Sequence, residues 1–425
     1  MLTESVGISA AKPAIFLIGH VATPLRLLDI PSEYSPLFRY IIKIRLGNFA
    51  VILRRGFMKS FSVCDILLIS TVGILLFAIG ISIFILPQPQ FSEAENKYLA
   101  SFPSFSFEKL KNGSFSRQLS LFCSDRILAR QSLIAMRASG ELMLGKRENN
   151  GIIFGKGGYL IPRGEYSDHS TAEQNLVYID GIKEAADAHK IPFACALAPR
   201  SIDVMSASLP SLYGNGYKKI WDTVLAHRPW IHDMRNSFSG IDGVWYKTDH
   251  HWTTEGAFLA YSEILNKVGD SPFGKDHFTI DRVSTDFFGT SHSRVGGIWG
   301  QADCIDLYRY EGDKNFSLSI PQSKITKKGF YYFDALESKD KYSVFMGGNY
   351  GFMSVTKDGE DRKELLLIKD SYANSVIPFL AIHYDLTVID PRYFTGDITE
   401  HIQNADSVIV LLGIDTLATM PLKPY

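Results

Sequence analysis

One long apolar run divides the chain into a short amino-terminal part and a large remainder. From Ile66 to Leu86 there are twenty-one residues without a charged side chain. At 1.5 Å per helical residue, this run is long enough to cross a hydrocarbon core of about 30 Å. A helix buried inside a globular protein is the alternative. We predict a membrane-spanning helix over 66–86, which places the lipid bilayer among the partners.

The flanks of this run indicate its orientation. The basic residues that precede it are Arg39, Lys43, Arg45, Arg54, Arg55 and Lys59. Glu93 and Glu95 follow it. Because Lys and Arg favour the cytoplasmic side, the amino end is predicted to be cytoplasmic and everything after residue 86 to be exported. A cleaved signal peptide starting at Met58 is the rival interpretation, but the absence of a small-x-small cleavage site favours an uncleaved anchor.

We therefore predict four segments along the chain. Residues 1–65 form a cytoplasmic amino extension, with translation starting at Met1 or Met58, and 66–86 form the membrane helix. Residues 87–149 form a stalk, rich in Ser, Pro and Phe at its start, and a lead-in helix. Residues 150–425 form the globular domain.

Charge and cysteine content exclude several classes of protein. The formal net charge is −1, with both signs mixed along the chain, whereas nucleic-acid binding needs clustered Lys and Arg. The four cysteines are widely spaced, without a CxxC pair or metal-ligand spacing. We expect no nucleic-acid partner, no metal and no cofactor.

Helical and strand patterns alternate through the domain. A hairpin is predicted over 152–160. After it, helices are predicted at 171–189 and 216–227, from 253–255 onward and from about 373 onward. Strands are predicted at 192–197, 230–234, 365–368, 386–389 and 407–412. Strands that alternate with helices indicate an α/β fold with a parallel sheet that helices cover on both faces.

Two short segments carry the chemistry. Lys247 to Trp252 supplies Asp249 and His251, and Ile368 to Ala373 places Ser371 after the apolar strand 365–368. A serine at a strand-to-helix turn is exposed at the carboxyl edge of a sheet. A serine hydroxyl becomes nucleophilic when a base takes its proton, and that base needs an orienting acid. We assign Ser371 as nucleophile, His251 as base and Asp249 as orienting acid.

Each of these assignments has an alternative. His250 is the alternative base, although adjacent side chains point to opposite sides and the Asp-x-His spacing favours His251. Asp249 and Ser371 each lie near a predicted helix start, where such residues serve as caps. Trp252 either packs beneath the loop or stacks on a substrate.

The chain resembles a known family over residues 91 to 425. Lys247 to Trp252 is the signature of the bacterial DHHW proteins, which belong to the superfamily of SGNH (GDSL-type) hydrolase-like folds and are similar to exported alginate O-acetyltransferase domains. The further segments that carry the resemblance are Phe91 to Leu99 with Pro103, Phe154 to Leu160, Phe288 to Arg294, and Gly347 to Tyr350. Asp249-x-His251 precedes Ser371 in this chain, as in the acetyltransferase relatives and in the reverse of the usual SGNH order. The resemblance therefore implies a permuted SGNH-like parallel sheet with an inserted β-rich segment. It also implies that Asp249, His251 and Ser371 occupy the triad positions.

The sequence offers more than one set of candidate oxyanion donors. Asp415 stands where the superfamily uses an asparagine, and an ionised carboxylate donates no hydrogen bond. The alternatives are the Ser371 amide with Asn349, or the amides of Gly347 and Gly348, a pair that also suits an ordinary turn. Arg294 and Tyr372 are candidate contacts to an anionic or sugar substrate, and Arg392 is a candidate support.

These features predict an exported, membrane-anchored serine O-acyltransferase or esterase that acts on a cell-surface polysaccharide through an acyl-serine intermediate. The carbohydrate polymer and a membrane-bound acyl-donor protein are the expected partners. The alternative is a non-catalytic surface-polymer assembly or scaffold protein that retains the fold. An exported lipase is less consistent with the sequence, since no Gly-x-Ser-x-Gly elbow surrounds Ser371.

Overall fold

The structure is a computed structural model that describes residues 62–86, 90–92, 97–164, 169–210, 213, 219–359 and 361–422. The predicted amino extension therefore lies outside the described residues, apart from 62–65. The chain divides into two compact units at Ala78. Helix α1, Val63–Ile85, is the one described helix long and apolar enough to cross a membrane, and nearly all of its side chains are exposed. Such a helix is consistent with a membrane anchor or a signal sequence.

The segment after α1 begins with a small antiparallel pair and continues as three helices, in the region where one lead-in helix is predicted. Their bounds are β1 Phe91–Ser92, β2 Lys97–Tyr98, α2 Phe107–Lys111, α3 Ser114–Asp125 and α4 Arg130–Met143. The predicted hairpin is present as part of a three-stranded sheet, composed of β3 Glu148–Asn149, β4 Ile152–Phe154 and β5 Leu160–Pro162.

The remaining elements form one mixed sheet, its covering helices and a separate β-ribbon. In chain order they are α5 Ser170–Ala188, β6 Phe193–Ala198, α6 Ser201–Val204, α7 Lys219–Leu225, β7 Ile231–Asp233, α8 Arg235–Phe238, α9 Thr254–Lys267, β8 Thr279–Phe287, α10 Thr290–Arg294, β9 Asp303–Arg309, β10 Phe316–Ile320, β11 Ile325–Lys328, β12 Phe352–Lys357, β13 Glu364–Lys369, α11 Ile377–Ala381, β14 Asp385–Ile389, α12 Thr399–Asn404, β15 Ser407–Gly413 and α13 Ile414–Thr419.

The sheet has eight strands in the order β11-β10-β12-β14-β13-β15-β6-β7. The run from β14 to β7 is parallel, as predicted, whereas β12, β10 and β11 pair antiparallel and extend the β14 edge. The prediction of a parallel sheet is therefore correct only for part of it. A short connection of four residues joins β10 to β11, which suits an antiparallel hairpin, because parallel neighbours need a longer crossover.

Both faces of the parallel strands are buried. Along β13, Leu365 and Leu367 face one apolar cluster, and Leu366 and Ile368 face another. This explains the uninterrupted apolar run, since a strand covered on both sides shows no alternation. The helix predicted from about residue 373 is instead a 3₁₀ turn over Ser371–Ser375 followed by α11, where Pro378 lacks the N–H that a continuous helix would use.

Candidate active site

The loop that carries Asp249 and His251 is closed by a bridge between Trp245 and Trp252. At its start, the carboxylate of Asp303, on β9, accepts the backbone N–H groups of Lys247 and Thr248, both at 2.8 Å. The same carboxylate accepts the Thr248 hydroxyl at 2.6 Å. Since these bonds satisfy polar groups that would otherwise be buried without partners, they fix the path of the loop.

The structure brings Asp249, His251 and Ser371 into one hydrogen-bonded chain. Nδ1 of His251 lies 2.6 Å from Oδ1 of Asp249, and its Nε2 lies 2.9 Å from Oγ of Ser371. Asp249 and His251 are buried. Asp249 and Ser371 are not the helix caps, because Thr253 caps α9 and Asp370 caps the turn at Ser371. The geometry is therefore that of a hydroxyl, a base and an orienting carboxylate.

A second loop holds Asp249 from behind. Oδ2 of Asp249 accepts the Thr290 amide at 2.7 Å and the Thr290 hydroxyl at 3.0 Å. Burial by itself raises the pKa of Asp249, but the adjacent His250 and His251 and the bonds from His251 and Thr290 outweigh it and hold the pKa well below its usual range. Gly289 allows this approach, since a Cβ there would lie 2.2 Å from Oδ2 of Asp249.

His250 has a different environment from His251. Its Nδ1 lies 2.8 Å from the Thr290 hydroxyl, and about a third of its side chain, 34%, is exposed. Loss of hydration, together with the nearby His251, lowers the pKa of His250 to about 4. One donor atom from each of Asp249, His250 and His251 lies within 4.8 Å of the others, a spacing that a metal ion could bridge. These groups are already hydrogen-bonded to each other, to Thr290 and to Ser371.

Aromatic side chains enclose the base. Trp252 is fully buried and donates from Nε1 to the Tyr372 carbonyl at 3.1 Å, a position that favours packing beneath the loop over substrate stacking. Tyr372 is also buried, and its hydroxyl donates to the His250 carbonyl at 2.8 Å. Tyr342 stacks on His251 with ring centroids 3.9 Å apart and an angle of 5°. Such a parallel contact would stabilise a protonated imidazole.

The turn at Ser371 is held by Asp370. Its carboxylate accepts the Tyr372 amide at 2.9 Å and the Gly413 amide, at the end of β15, at 2.7 Å. The Ser371 amide, at the first position of the turn, has no acceptor among the described residues. Asp415, which the sequence places at a possible oxyanion position, lies 3.6 Å from Arg200 instead.

A buried lysine lies two residues before the serine. Nζ of Lys369 donates to Oδ1 of Asn374 at 2.7 Å and to Oδ1 of Asn349 at 3.2 Å, and it lies 3.8 Å from Asp390. Arg392 forms an ion pair with Asp390 at 2.6 Å, which is also the contact expected of a purely structural arginine. Because Lys369 binds the oxygen of each asparagine amide, the Nδ2 group of the exposed Asn349 is left for another acceptor.

The lysine makes stability depend on pH in a specific direction. Burial lowers the pKa of Lys369 to about 8, below the value of about 10.4 for an unfolded lysine. Between these values the unfolded chain binds more protons, so this residue makes stability rise with pH. We expect the free energy of unfolding of the wild type, relative to Lys369→Met, to increase by up to about 1.4 kcal/mol per pH unit above pH 8. Denaturant titrations of the full chain in detergent at pH 7.5, 8.5 and 9.5 measure this.

The exposed Lys267 supplies the control for that titration. Lys267→Met should show the wild-type pH slope. An equal slope in wild type and Lys369→Met would mean that Lys369 is not the group responsible.

Several contributors to the site lie far from the motifs and were not found from the sequence. Thr290 and Gly289 follow β8, Asp303 opens β9, and Tyr342 lies in a 3₁₀ turn. The segment Phe288 to Arg294 was noted only for its resemblance to the family. Arg294, at the end of α10, is exposed and donates to the Asn150 carbonyl at 2.8 Å, so it is outside the hydrogen-bonded chain of the site.

Two known structures share this fold, and a third is less similar. A DHHW family protein from Eubacterium siraeum aligns over 64% of this chain and 93% of its own, with 17% identity and a TM-score of 0.53. PatB1 from Bacillus cereus aligns over 64% of this chain and 99% of its own, with 19% identity and a TM-score of 0.54. The O-acetyltransferase domain of Pseudomonas putida AlgJ aligns over 63% and 92%, with 14% identity and a TM-score of 0.40. No curated protein sequence matches the chain.

A protein-family match covers the segment that contains both motifs. The model of the DHHW protein family matches residues 217–389, which include Asp249, His251 and Ser371. The structures from Eubacterium siraeum and Bacillus cereus agree with it in fold. Over residues 217–389 the chain is therefore similar to the DHHW protein family.

Proposed function

We propose that the protein is an exported, membrane-anchored serine O-acyltransferase or esterase that acts on a cell-surface polysaccharide. The observation that carries the proposal is the chain of hydrogen bonds from Asp249 through His251 to Ser371, at 2.6 and 2.9 Å. The match to the DHHW family model supports the same assignment, since the matched residues 217–389 include Asp249, His251 and Ser371.

In the proposed reaction, His251 takes the proton of the Ser371 hydroxyl while Oγ attacks the carbonyl carbon of an acyl ester. The tetrahedral intermediate collapses when the donor oxygen leaves with the proton from His251, and an acyl-serine remains. A sugar hydroxyl or water then attacks the acyl carbon, with His251 as base, and Ser371 is released. Asp249 holds the His251 tautomer and stabilises the imidazolium that forms in each half-reaction.

The developing oxyanion needs fixed donors. The Ser371 amide and Nδ2 of Asn349 are the pair that we propose. Ser371 and Asn374 lie three residues apart in a 3₁₀ turn and so share a face, and Nδ2 of Asn374 lies 3.2 Å from Oδ1 of Asn349. Lys369 holds the oxygens of both asparagines, so the Asn349 amide is oriented before the reaction begins.

The proposal includes the topology and the arrangement at the membrane. Helix α1 is the anchor, residues 87–149 form the stalk and lead-in segment, and residues 150–425 form a permuted SGNH-like domain with an inserted β-rich segment. The basic residues before α1 favour a cytoplasmic amino end and an exported domain. A polymer at the cell surface would then be within reach, and a membrane-bound protein would supply the acyl group.

An acyl-serine can be detected directly. The full chain in detergent micelles is incubated with 4-nitrophenyl acetate, quenched in acid and analysed by intact mass and by peptide mapping. We expect one added acetyl group on the peptide that contains Ser371. The matched control is Ser338→Ala, which removes an exposed serine and should leave the adduct in place.

Two results would contradict the proposal. One is an adduct on a different residue, such as a lysine. The other is no adduct and no ester turnover with either 4-nitrophenyl acetate or an acetylated glycan, which would favour the scaffold alternative.

A further inference from the structure

An open cavity of about 600 Å³ lies beside the catalytic loop and is not used in the proposed reaction. One wall is α4, and the opposite wall includes α10 and the residues around β3. Its volume is in the range of sites that bind small molecules, and it is open to solvent. The cavity therefore has room for a short segment of a polymer.

The charge of the lining is strongly positive. Its ionisable residues are Arg130, Arg137, Lys146, Arg294 and Glu141, four basic and one acidic. Glu141 is shared by Arg137 at 3.0 Å and Lys146 at 2.6 Å, so one of these two cations is not neutralised. Among the described residues, no carboxylate pairs with Arg294. Counted over the described residues, and with Asp125, which lies 3.8 Å from Arg130, the site has about two positive charges in excess.

A single residue connects the cavity to the catalytic loop. Thr290 lines the cavity, and its hydroxyl lies 3.0 Å from Asp249 and 2.8 Å from His250. Arg294 follows on the same short helix, one turn further from the loop. A ligand in the cavity would thus lie one residue away from the residues that orient the catalytic base.

We propose that this cavity is a binding subsite for an anionic glycan polymer, one that carries carboxylate or phosphate groups along its length. The inference rests on the proposed function, because it identifies the ligand as the polymer that is acylated. Arg294 and Arg137 contact the acidic groups, and a neighbouring part of the polymer presents its hydroxyl to Ser371. The guanidinium groups suit carboxylates and phosphates, which they bind through two parallel hydrogen bonds.

An anionic lipid headgroup has the same charge and is the competing ligand. The link through Thr290 favours the polymer, since a headgroup would have no reason to lie next to the residues that orient the base. Lipid binding is therefore treated as an outcome that would overturn the proposal.

The test measures binding without chemistry. The full chain in nanodiscs of zwitterionic lipid is titrated by calorimetry with tetragalacturonate, with its neutral methyl ester and with a glycerol phosphate oligomer. We expect at least one of the two anionic oligomers to bind, the methyl ester to bind much more weakly, and the affinity to fall as salt is raised. Preference for tetragalacturonate or for the phosphate oligomer identifies the acidic group.

Variants with opposite expected effects on affinity distinguish a change in binding from a folding defect. Arg294→Gln and Arg137→Gln should each weaken binding by about threefold to fivefold, whereas Glu141→Gln should tighten it by about threefold, because it frees Arg137 and Lys146. A folding defect would not produce tighter binding. Arg282→Gln is the matched control, since Arg282 is outside the cavity lining and pairs with Asp306.

Three outcomes would overturn the inference. The first is equal affinity for tetragalacturonate and its methyl ester, and the second is an unchanged affinity in the cavity variants. The third is weaker oligomer binding when the nanodisc contains anionic lipid, with this effect of the lipid absent in Arg294→Gln. Binding to Ser371→Ala separates this inference from the proposed function. If oligomers bind normally but no acyl-serine forms on the wild type, the proposed reaction fails while the subsite stands.

Discussion

Replacing Ser371 with alanine is expected to reduce acetyl-ester turnover to the uncatalysed background, a loss on the order of 10⁵-fold in kcat. His251→Ala should cause a loss of similar size. The two effects should not add in the double variant, because Oγ of Ser371 and Nε2 of His251, 2.9 Å apart, act as one unit. Steady-state hydrolysis of 4-nitrophenyl acetate by the four proteins measures both the losses and the non-additivity.

Exposed residues of the same types provide the controls. Ser338→Ala and His277→Ala should keep wild-type kinetics. If Ser371→Ala kept more than about a tenth of the wild-type rate, Ser371 would not be the nucleophile. If the losses of the two single variants multiplied in the double variant, the serine and histidine would act in separate steps.

Replacing Asp249 with asparagine is expected to lower kcat by about 10⁴-fold while Ser371 and His251 remain in place. The reason is the tautomer of the base. A carboxylate at 2.6 Å accepts the Nδ1 proton of His251 and leaves Nε2 free to take the serine proton. The asparagine amide can donate to Nδ1 instead, which places the imidazole proton on Nε2, where it blocks proton transfer. Kinetics of ester hydrolysis across pH 5 to 9 measure the loss.

The same substitution should also change how the stability of the protein depends on pH. The pKa of Asp249 is lower in the folded protein than its ordinary value. A carboxyl of this kind adds stability above its unfolded pKa of about 3.9, and this stability is lost as pH falls toward the folded value. The advantage of wild type over Asp249→Asn should therefore shrink below about pH 4. Asp276→Asn, at an exposed position, should show no such change.

An active Asp249→Asn variant would contradict the assigned role. In that case His251 would be oriented without the carboxylate, for example by its contact with Tyr342. A stability advantage that stayed constant between pH 5 and pH 2 would contradict the depressed pKa.

Local patterns in the sequence determined the strand β13, the position of Ser371 immediately after it, the pairing of Asp249 with His251 and the apolar helix α1. Each of these depends on neighbouring residues alone. An unbroken apolar run of a few residues suits a strand buried on both faces, a spacing of two residues suffices for a carboxylate to reach Nδ1, and a charge-free run of twenty-one residues suits a bilayer.

Only the tertiary structure decided what surrounds those residues. Thr290 and Gly289 come from a loop about 40 positions after Asp249, and Asp303, Tyr342 and Gly413 come from further along the chain. A threonine, a glycine and a tyrosine have no local pattern that marks them as supports, because their roles depend on which loops the sheet brings to one edge. The antiparallel extension of the sheet and the basic cavity beside Thr290 could not be predicted from the sequence for the same reason. They arise from pairing between distant segments, which chain topology sets and local periodicity does not report.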